Sequence, residues 1–291
     1  MSSSAAVLAF DARMELGESP VWDERTRTLY AVDILRGAIV RFNPRSGSTE
    51  TVAELDEPVG SIALRRDGGL VAAAGTAVLL LDEQARATVV AEVPEARGLR
   101  FNDGVCDAQG RLWVGTMALD ESVGRGTLYR YDERGLAPMV APVSISNGTD
   151  WSADGTRMYY VDSPSRRVDV FEFDARDGSL ADRRTLVEID DAGASVPDGL
   201  TVDAEDHIWV AFWDGWAIRR YRPDGSLDRV VELPVARPTS CAFGGDDLGD
   251  LYVTSARTDL TAAALDAQPF AGGVLVLRPG VGGRLPNRFA G

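Results

Sequence analysis

Residues 102–115 read Asn-Asp-Gly-Val-Cys-Asp-Ala-Gln-Gly-Arg-Leu-Trp-Val-Gly, and this stretch contains the pattern that decides the fold. An anchor residue, Asn102, precedes a short apolar run, a turn rich in Asp and Gly, and a second run, Leu112 to Gly115. A third, alternating run follows at Thr127 to Tyr131. Alternating apolar and polar residues between turn signals are typical of short antiparallel strands. This unit therefore predicts one small β-sheet.

The same pattern occurs six times along the chain. The second runs are Leu29–Val32, Leu70–Ala73, Leu112–Gly115, Met158–Val161, Ile208–Ala211 and Leu251–Thr254, and the anchors are Glu18, Gly60, Asn102, Asn147, Asp198 and Thr239. A period of about 40 to 50 residues built from short strands is typical of β-propeller blades, because one four-stranded sheet cannot bury its own faces. We predict an all-β protein, a six-bladed β-propeller of four-stranded antiparallel blades that forms a single domain over residues 1–291.

The two ends of the chain indicate how the ring closes. The sixth repeat runs out soon after Leu277, whereas an apolar segment at Ala6 to Phe10 belongs to no repeat. We predict that this N-terminal segment supplies the missing outer strand of the sixth blade. Such a strand would close the ring and protect an exposed sheet edge.

Composition and charge exclude several classes of function. At 291 residues with 45% hydrophobic side chains, the chain can bury a sizeable core, in which Cys106 and Cys241 are predicted to be free thiols. The formal net charge of −15 opposes binding to phosphate backbones and anionic membranes, so we expect neither nucleic acid nor a membrane as a partner. The N-terminus lacks a basic region and a long apolar core. We therefore predict a cytoplasmic protein, and the sequence leaves its oligomeric state open.

Four of the six anchors carry carboxylate or amide oxygen atoms. These anchors are Glu18, Asn102, Asn147 and Asp198. The innermost strands of a propeller line a central channel, so residues at their beginnings gather at one mouth of that channel. An all-oxygen set with two negative charges suits a hard or borderline divalent cation, and water would fill the remaining positions. The pattern thus predicts a metal site at one mouth.

A competing interpretation assigns these anchors to turns, because Asn147-Gly148 and Asp198-Gly199 are ordinary turn dipeptides. Each anchor is, however, followed by a separate turn signal within its own repeat, such as Asp154-Gly155 after Asn147. The register of the repeat places the anchors at the beginnings of strands rather than at hairpin tips. The register therefore favours a metal site over an assignment of the anchors to turns.

Several segments carry a specific family resemblance. They are Glu15-Leu16-Gly17-Glu18-Ser19-Pro20-Val21-Trp22, Arg100-Phe101-Asn102-Asp103-Gly104, Gly110-Arg111-Leu112-Trp113-Val114-Gly115-Thr116-Met117, Ser146-Asn147-Gly148, Pro197-Asp198-Gly199 and Phe270-Ala271-Gly272-Gly273. In this order they resemble the senescence marker protein, regucalcin and gluconolactonase family over nearly the whole chain. The resemblance implies a six-bladed propeller, one catalytic divalent metal ion in the central channel, and hydrolysis of sugar lactones.

The resemblance also implies roles for single residues. Glu18, Asn147 and Asp198 match the metal ligands of the family, and Asn102 matches either a fourth, looser ligand or a substrate contact. Arg100 matches a substrate-binding arginine.

The acidic substrate residue of the family is matched less closely. It aligns without a gap with Asp120, whereas Glu121 would need a shift of one residue. The shorter side chain of Asp120 departs from the pattern of the family.

These groups could support ester hydrolysis without a covalent intermediate. A bound cation would polarise the lactone carbonyl, while Asp198, as the catalytic residue, would orient or deprotonate the attacking water. In the alternative, tight metal binding lowers the pKa of Asp198, the metal itself activates the water, and Asp198 is only a ligand. The permanently charged Arg100 suits the anchoring of hydroxyl oxygens.

Other catalytic classes fit poorly. His207 is the only histidine, so a histidine dyad cannot be built, and a Ser-His-Asp triad would have to recruit a residue placed away from the anchors. The nucleophile motif Gly-x-Ser-x-Gly is absent, and Gly282-Gly283 lacks the Lys-Ser or Lys-Thr ending of a phosphate-binding loop.

The sequence therefore favours a lactonase that uses one divalent metal ion (Ca, Zn, Mn, Mg or Fe) to hydrolyse a sugar lactone such as a gluconolactone. Oxygen ligands alone do not distinguish among these metals. Two alternatives use the same site. The protein could act on phosphotriesters, as the related diisopropyl-fluorophosphatase propellers do, although Arg100 favours a hydroxylated substrate. It could also be a non-catalytic calcium-binding propeller with a structural metal.

Overall fold

The computed structural model describes residues 5–94, 96–190, 193 and 195–291. In this part of the chain, 24 strands form six four-stranded sheets whose paired strands are antiparallel. The strands are β1 (Val7–Phe10), β2 (Gly17–Asp23), β3 (Thr28–Asp33), β4 (Ala38–Asn43), β5 (Ser48–Glu54), β6 (Val59–Leu64), β7 (Leu70–Ala74), β8 (Ala77–Leu81), β9 (Ala87–Glu92), β10 (Leu99–Cys106), β11 (Leu112–Ala118), β12 (Gly126–Asp132), β13 (Gly135–Val143), β14 (Ser146–Trp151), β15 (Arg157–Asp162), β16 (Arg167–Asp174), β17 (Ser179–Glu188), β18 (Val196–Val202), β19 (Ile208–Trp213), β20 (Ala217–Tyr221), β21 (Leu227–Glu232), β22 (Pro238–Gly244), β23 (Asp250–Ser255) and β24 (Val274–Leu277).

The predicted six-bladed propeller is confirmed. Blades one to five contain β2–β5, β6–β9, β10–β13, β14–β17 and β18–β21, and blade six contains β22–β24. The N-terminal strand β1 completes blade six by pairing with β24, with Val7 opposite Val276. The predicted ring closure by the N-terminal segment is therefore also confirmed.

Helices are few in the described residues. They comprise one six-residue α-helix, Ala262–Ala267, and two short 3-10 turns, Ile34–Arg36 and Ser163–Ser165. None of the helices in this part of the chain is long and apolar enough to cross a bilayer.

The core lies between neighbouring blades, and the second strand of each blade is largely buried. The side chains of β11 are all buried, and the ring of Trp113 packs against Trp151 and Phe173 of blade four, with centroids 5.9 Å apart in each case. The outermost strands of blades one to five are more exposed than the inner strands, as in β17. The repeat of apolar runs does not mark these five outer strands, because they lie at the rim of the ring. Cys106 and Cys241 are buried free thiols, as predicted.

Every inner strand departs from regular pairing at its anchor. The register shifts lie between Glu18 and Val21, Val59 and Ser61, Phe101 and Gly104, Ser146 and Thr149, Pro197 and Leu200, and Pro238 and Cys241. A β-bulge bends a strand and changes the direction of a side chain. The repeated bulge explains how the anchors leave the regular alternation of the ladder and turn toward the channel.

Residues 282–290 form a C-terminal crossing segment that passes over the far mouth of the channel, where the inner strands end. Its contacts, from blade one to blade six, are Arg288 with Asp23 (2.6 Å), the Phe289 N–H with the Leu64 carbonyl (2.8 Å), Asn287 Nδ2 with the Cys106 carbonyl (3.0 Å), Arg284 Nη2 with the Trp151 carbonyl (2.7 Å), Arg284 Nε with the Val202 carbonyl (3.4 Å) and the Gly283 N–H with the Leu248 carbonyl (2.8 Å). The segment therefore contacts all six blades. It borders a cavity of about 290 Å³ that reaches up to Asp103, next to an anchor.

Candidate metal centre

The structure gathers the predicted ligands at the mouth opposite the crossing segment. Glu18, Asn147 and Asp198 are each at most 6% exposed. Asp198 lies close enough to Glu18 to repel its charge, and the amide of Asn147 lies close enough to Asp198 to counteract part of the rise in the pKa of that carboxyl. Three blades that are far apart in sequence thus place their anchor side chains together.

The two carboxylates of this mouth are in an unfavourable environment. Burial raises the pKa of Glu18 well above its ordinary value, and the nearby charges of Asp198 and Asp103 raise it further. Burial likewise raises the pKa of Asp198, with Asp103 again contributing. Buried like charges favour protonation unless a cation compensates them. A divalent cation bound by these carboxylates would stabilise their charged forms and so offset both causes of the shift.

Asp103 is a third carboxylate that the sequence analysis did not assign to the site. It follows the blade-three anchor directly, and burial raises its pKa to about 6. The residues after the other anchors are Ser19, Ser61, Gly148, Gly199 and Ser240. Blade three is thus the one repeat with a carboxylate directly after its anchor. Comparing the six repeats at this position could have identified Asp103 from the sequence.

Asn147 has one end of its amide satisfied and the other free. Its Nδ2 donates a hydrogen bond of 2.9 Å to Oγ of Ser163. Its Oδ1 is buried and has no hydrogen-bond partner among the described residues. A buried acceptor without a partner is costly, so this Oδ1, on an amide near the carboxylate of Asp198, fits a metal ligand. No three His, Cys, Asp or Glu side chains form a metal cluster in the described residues, and a cation here would need amide oxygen.

Asn102 has no comparable free oxygen. Its Oδ1 accepts a hydrogen bond of 2.7 Å from Nη1 of Arg100, and its Nδ2 donates to the Ser146 carbonyl at 2.9 Å. Of the two alternatives for Asn102, this pairing supports a substrate contact rather than a metal ligand.

Arg100 is buried within reach of the same carboxylates. Burial lowers the pKa of Arg100 to about 10, while the charges of Glu18, Glu121 and Asp198 act in the opposite direction. The guanidinium therefore remains charged at neutral pH. It is a cationic group close to the candidate ligands Glu18 and Asp198.

The two candidate acidic contacts differ in their surroundings. The side chain of Asp120 is 70% exposed and accepts hydrogen bonds from the backbone and side chain of Ser122. Glu121 has a positive φ of 57° and interacts electrostatically with Arg100. Both acids are exposed, and the electrostatic interaction with Arg100 favours Glu121 over Asp120 as the acidic contact.

The glycines after two anchors lie inside strands β14 and β18, not at hairpin tips. A Cβ atom at Gly148 would come within 2.7 Å of the Asp198 carbonyl oxygen, and one at Gly199 would collide with Ser240. These glycines therefore allow the inner strands to approach one another around the channel. His207 lies in the turn between β18 and β19, at the other end of the inner strand from Asp198.

Comparison with known proteins gives consistent results. A family model described as "SMP-30/Gluconolactonase/LRE-like region" matches residues 16–257. Regucalcin from Gallus gallus is 38% identical over 301 residues, covering 100% of both chains. The solved structure of the calcium-binding protein regucalcin from Agrobacterium tumefaciens has a TM-score of 0.93 at 30% identity, covering 99% of this chain and 97% of its own. A luciferin-regenerating enzyme has a TM-score of 0.92 at 29% identity, covering 99% of this chain and 100% of its own.

Proposed function

Because this chain belongs to the SMP-30/gluconolactonase/LRE-like family, we propose that it is a divalent-metal-dependent hydrolase that opens a sugar lactone to the aldonic acid. The observation that carries this proposal is the buried, unpartnered Oδ1 of Asn147, an amide near the carboxylate of Asp198, which in turn lies near that of Glu18. Carboxylate and amide oxygens suit hard divalent cations such as calcium. These three side chains would hold the ion, with positions left for water and substrate.

The reaction requires few groups from the protein. Water adds to the carbonyl carbon of the lactone, the ring C–O bond breaks, and the ring oxygen takes up a proton to become a hydroxyl. A bound cation would supply Lewis-acid chemistry at the lactone carbonyl. The carboxylate of Asp198 would orient the attacking water and accept its proton.

Substrate recognition would depend on Arg100 and Asn102. The guanidinium presents several N–H donors in a fixed plane, which suits the hydroxyl and ring oxygens of an aldonolactone. Glu121, which interacts with Arg100, would accept hydrogen bonds from sugar hydroxyls, and Asp120 is the alternative. A phosphotriester offers no hydroxyl donors to such an acid. The net charge of −15 supports neither nucleic acid nor an anionic membrane as a partner, and a cytoplasmic location stays a prediction.

The test is proton release from a panel of aldonolactones after subtraction of spontaneous hydrolysis. Chelator-treated protein is assayed alone and with Ca²⁺, Mg²⁺, Mn²⁺, Zn²⁺ or Fe²⁺. Metal-restored turnover that is lost in Asp198→Asn but kept in Asp246→Asn, an exposed carboxylate of blade six, would support the proposal. Metal binding without turnover of any lactone would refute it. A parallel phosphotriester assay would then separate a phosphotriesterase from a calcium-binding propeller.

A further inference from the structure

A hydroxyl from the neighbouring strand holds the amide of Asn147. Ser163 directly follows β15, is 3% exposed, and accepts the 2.9 Å hydrogen bond from Nδ2 of Asn147. Its backbone N–H donates to the carbonyl of Ile145 at 3.2 Å. The carboxylate of the preceding Asp162 accepts hydrogen bonds from the N–H groups of Ser144 and Ile145. The same dipeptide therefore holds both the backbone leading to Asn147 and its side chain.

The orientation of this amide decides what it can bind. Oxygen is a cation ligand, whereas the NH₂ group of the same size repels a cation. Nδ2 of Asn147 donates to Ser163, and Oδ1 has no hydrogen-bond partner among the described residues, which leaves Oδ1 available for a ligand. Ser163 is thus the acceptor that keeps the amide in this orientation.

The six blades provide an internal comparison at the position of Ser163. In each blade, the residue just before the anchor pairs with one residue of the second strand. The residue that follows this paired residue in the chain is called here the flanking position. The flanking residues of blades one to six are Ile34, Gly75, Met117, Ser163, Trp213 and Ala256. Only one of these six has a hydroxyl, and it lies in the blade whose proposed metal ligand is an amide.

Blade one shows why the hydroxyl is specific to the amide. Asp33 accepts hydrogen bonds from the N–H groups of Glu15 and Leu16, as Asp162 does in blade four, and a 3-10 turn again follows. The flanking residue there is Ile34, which is 1% exposed and cannot form a hydrogen bond through its side chain. The ligand in blade one is Glu18, whose two carboxylate oxygens are chemically equivalent. No orienting group is needed for it.

We infer that Ser163 is a positioning residue that orients Asn147 toward the bound cation; this inference rests on the proposed function through its metal site. Hydrogen-bond partners of metal ligands typically contribute about 10- to 100-fold to metal affinity. Ser163→Ala is expected to weaken metal binding within this range, and Ser163→Thr, which keeps the hydroxyl, is expected to retain the affinity. Ser61→Ala is the matched control, because Ser61 is 1% exposed on an inner strand and its hydroxyl has no partner among the described residues.

The test is isothermal titration of chelator-treated protein with Ca²⁺ and Mn²⁺, without any lactone. The decisive comparison repeats Ser163→Ala in an Asn147→Asp background, where the ligand has two equivalent oxygens. If Ser163 acts by orienting the amide, its removal should cost much less affinity in that background than in the wild type.

Three results would overturn the inference. They are an unchanged affinity in Ser163→Ala, an equal loss in both backgrounds, and a loss in Ser163→Thr as large as that in Ser163→Ala. A wild-type protein that binds neither ion would overturn the metal site itself, and the proposed function with it. A wild type that binds metal but turns over no lactone would leave this inference standing and refute only the lactonase.

Discussion

Nη1 of Arg100 donates a hydrogen bond of 2.7 Å to Oδ1 of Asn102, and both side chains are buried. The bond engages one lone pair of the amide oxygen of Asn102, whereas the corresponding oxygen of Asn147 has no partner in the described residues. Two asparagines at equivalent positions of the repeat therefore differ in what they can bind. One is paired with a cationic side chain, and the other is free for a metal ion.

The two asparagines should separate metal binding from substrate binding. Asn147→Ala removes a ligand, so we expect it to weaken metal affinity by more than about 10-fold. Asn102→Ala should leave metal affinity near the wild-type value and lower kcat/KM by about 10- to 100-fold, because Arg100 loses a charge-assisted hydrogen bond. Calorimetric titration and lactone kinetics on both variants test this. A loss of metal affinity in Asn102→Ala that exceeds the loss in Asn147→Ala would contradict this prediction.

The two neighbouring acids should have unequal effects on turnover. Glu121→Gln keeps the size of the side chain but removes the charge near Arg100, and we expect KM for the lactone to rise by about 10-fold. Asp120→Asn changes an exposed side chain that hydrogen-bonds within its own loop, and KM should change little. Steady-state kinetics with a saturating metal measure both variants. A stronger effect of Asp120→Asn on KM would contradict this prediction and favour Asp120, which aligns without a gap, as the acidic substrate contact.

Metal-free protein should become less stable as pH rises through the weakly acidic range. The pKa values of Glu18 and Asp198 are raised in the folded protein, so the unfolded chain loses these protons first. Between about pH 4, near the ordinary pKa of these carboxyls, and their raised pKa values, the unfolded state binds fewer protons than the folded state. The free energy of unfolding therefore falls as the pH rises through this range.

Asp198→Asn isolates this effect from the rest of the titration. Without metal, we expect the variant to be more stable than the wild type at about pH 8 and equal to it at about pH 4, since the difference requires the charged carboxylate. Urea denaturation in the presence of chelator measures it. Added metal should reverse the order at the higher pH, because a ligand stabilises the state that binds it. A wild type that is more stable than the variant at pH 8 without metal would contradict the prediction.

The crossing segment should stabilise the ring from the far mouth. Arg284 hydrogen-bonds the carbonyls of Trp151 and Val202 and lies 3.6 Å from Asp150, whose pKa is raised by burial. We expect Arg284→Ala to lower the free energy of unfolding by about 1–3 kcal/mol, because buried polar groups lose their partner. Chemical denaturation with metal present measures this.

Arg278→Ala is the matched control for the crossing segment. Arg278 is 57% exposed and pairs with Asp247 and Asp250 at the surface, so its removal should cost less than about 1 kcal/mol. Equal losses in the two variants would show that the position over the channel does not matter.

Much of the fold and the positions of the candidate ligands could be predicted from the sequence. Each blade is a local unit whose turns and alternation lie within one stretch of chain, and the unassigned segment before Phe10 matched the strand that blade six lacked. The anchors could be identified because they stand at the same position in every repeat, and the inner strands of a propeller all begin at the same mouth of the channel. The physical reason in both cases is that local patterns repeated at a regular spacing need no knowledge of distant contacts.

Only the tertiary structure showed that Oδ1 of Asn102 is paired while that of Asn147 is not, and only it revealed the contacts of Ser163 and the crossing segment. The amide of Asn147 is turned by a hydroxyl from the next strand, and Asn287 reaches the carbonyl of Cys106, which lies 181 residues earlier in the chain. Neither contact leaves a periodic signal, because a hydrogen bond between distant residues depends on where two backbones meet. The sequence determined which atoms could be ligands, and the packing of the blades decided which of those atoms remain free to bind.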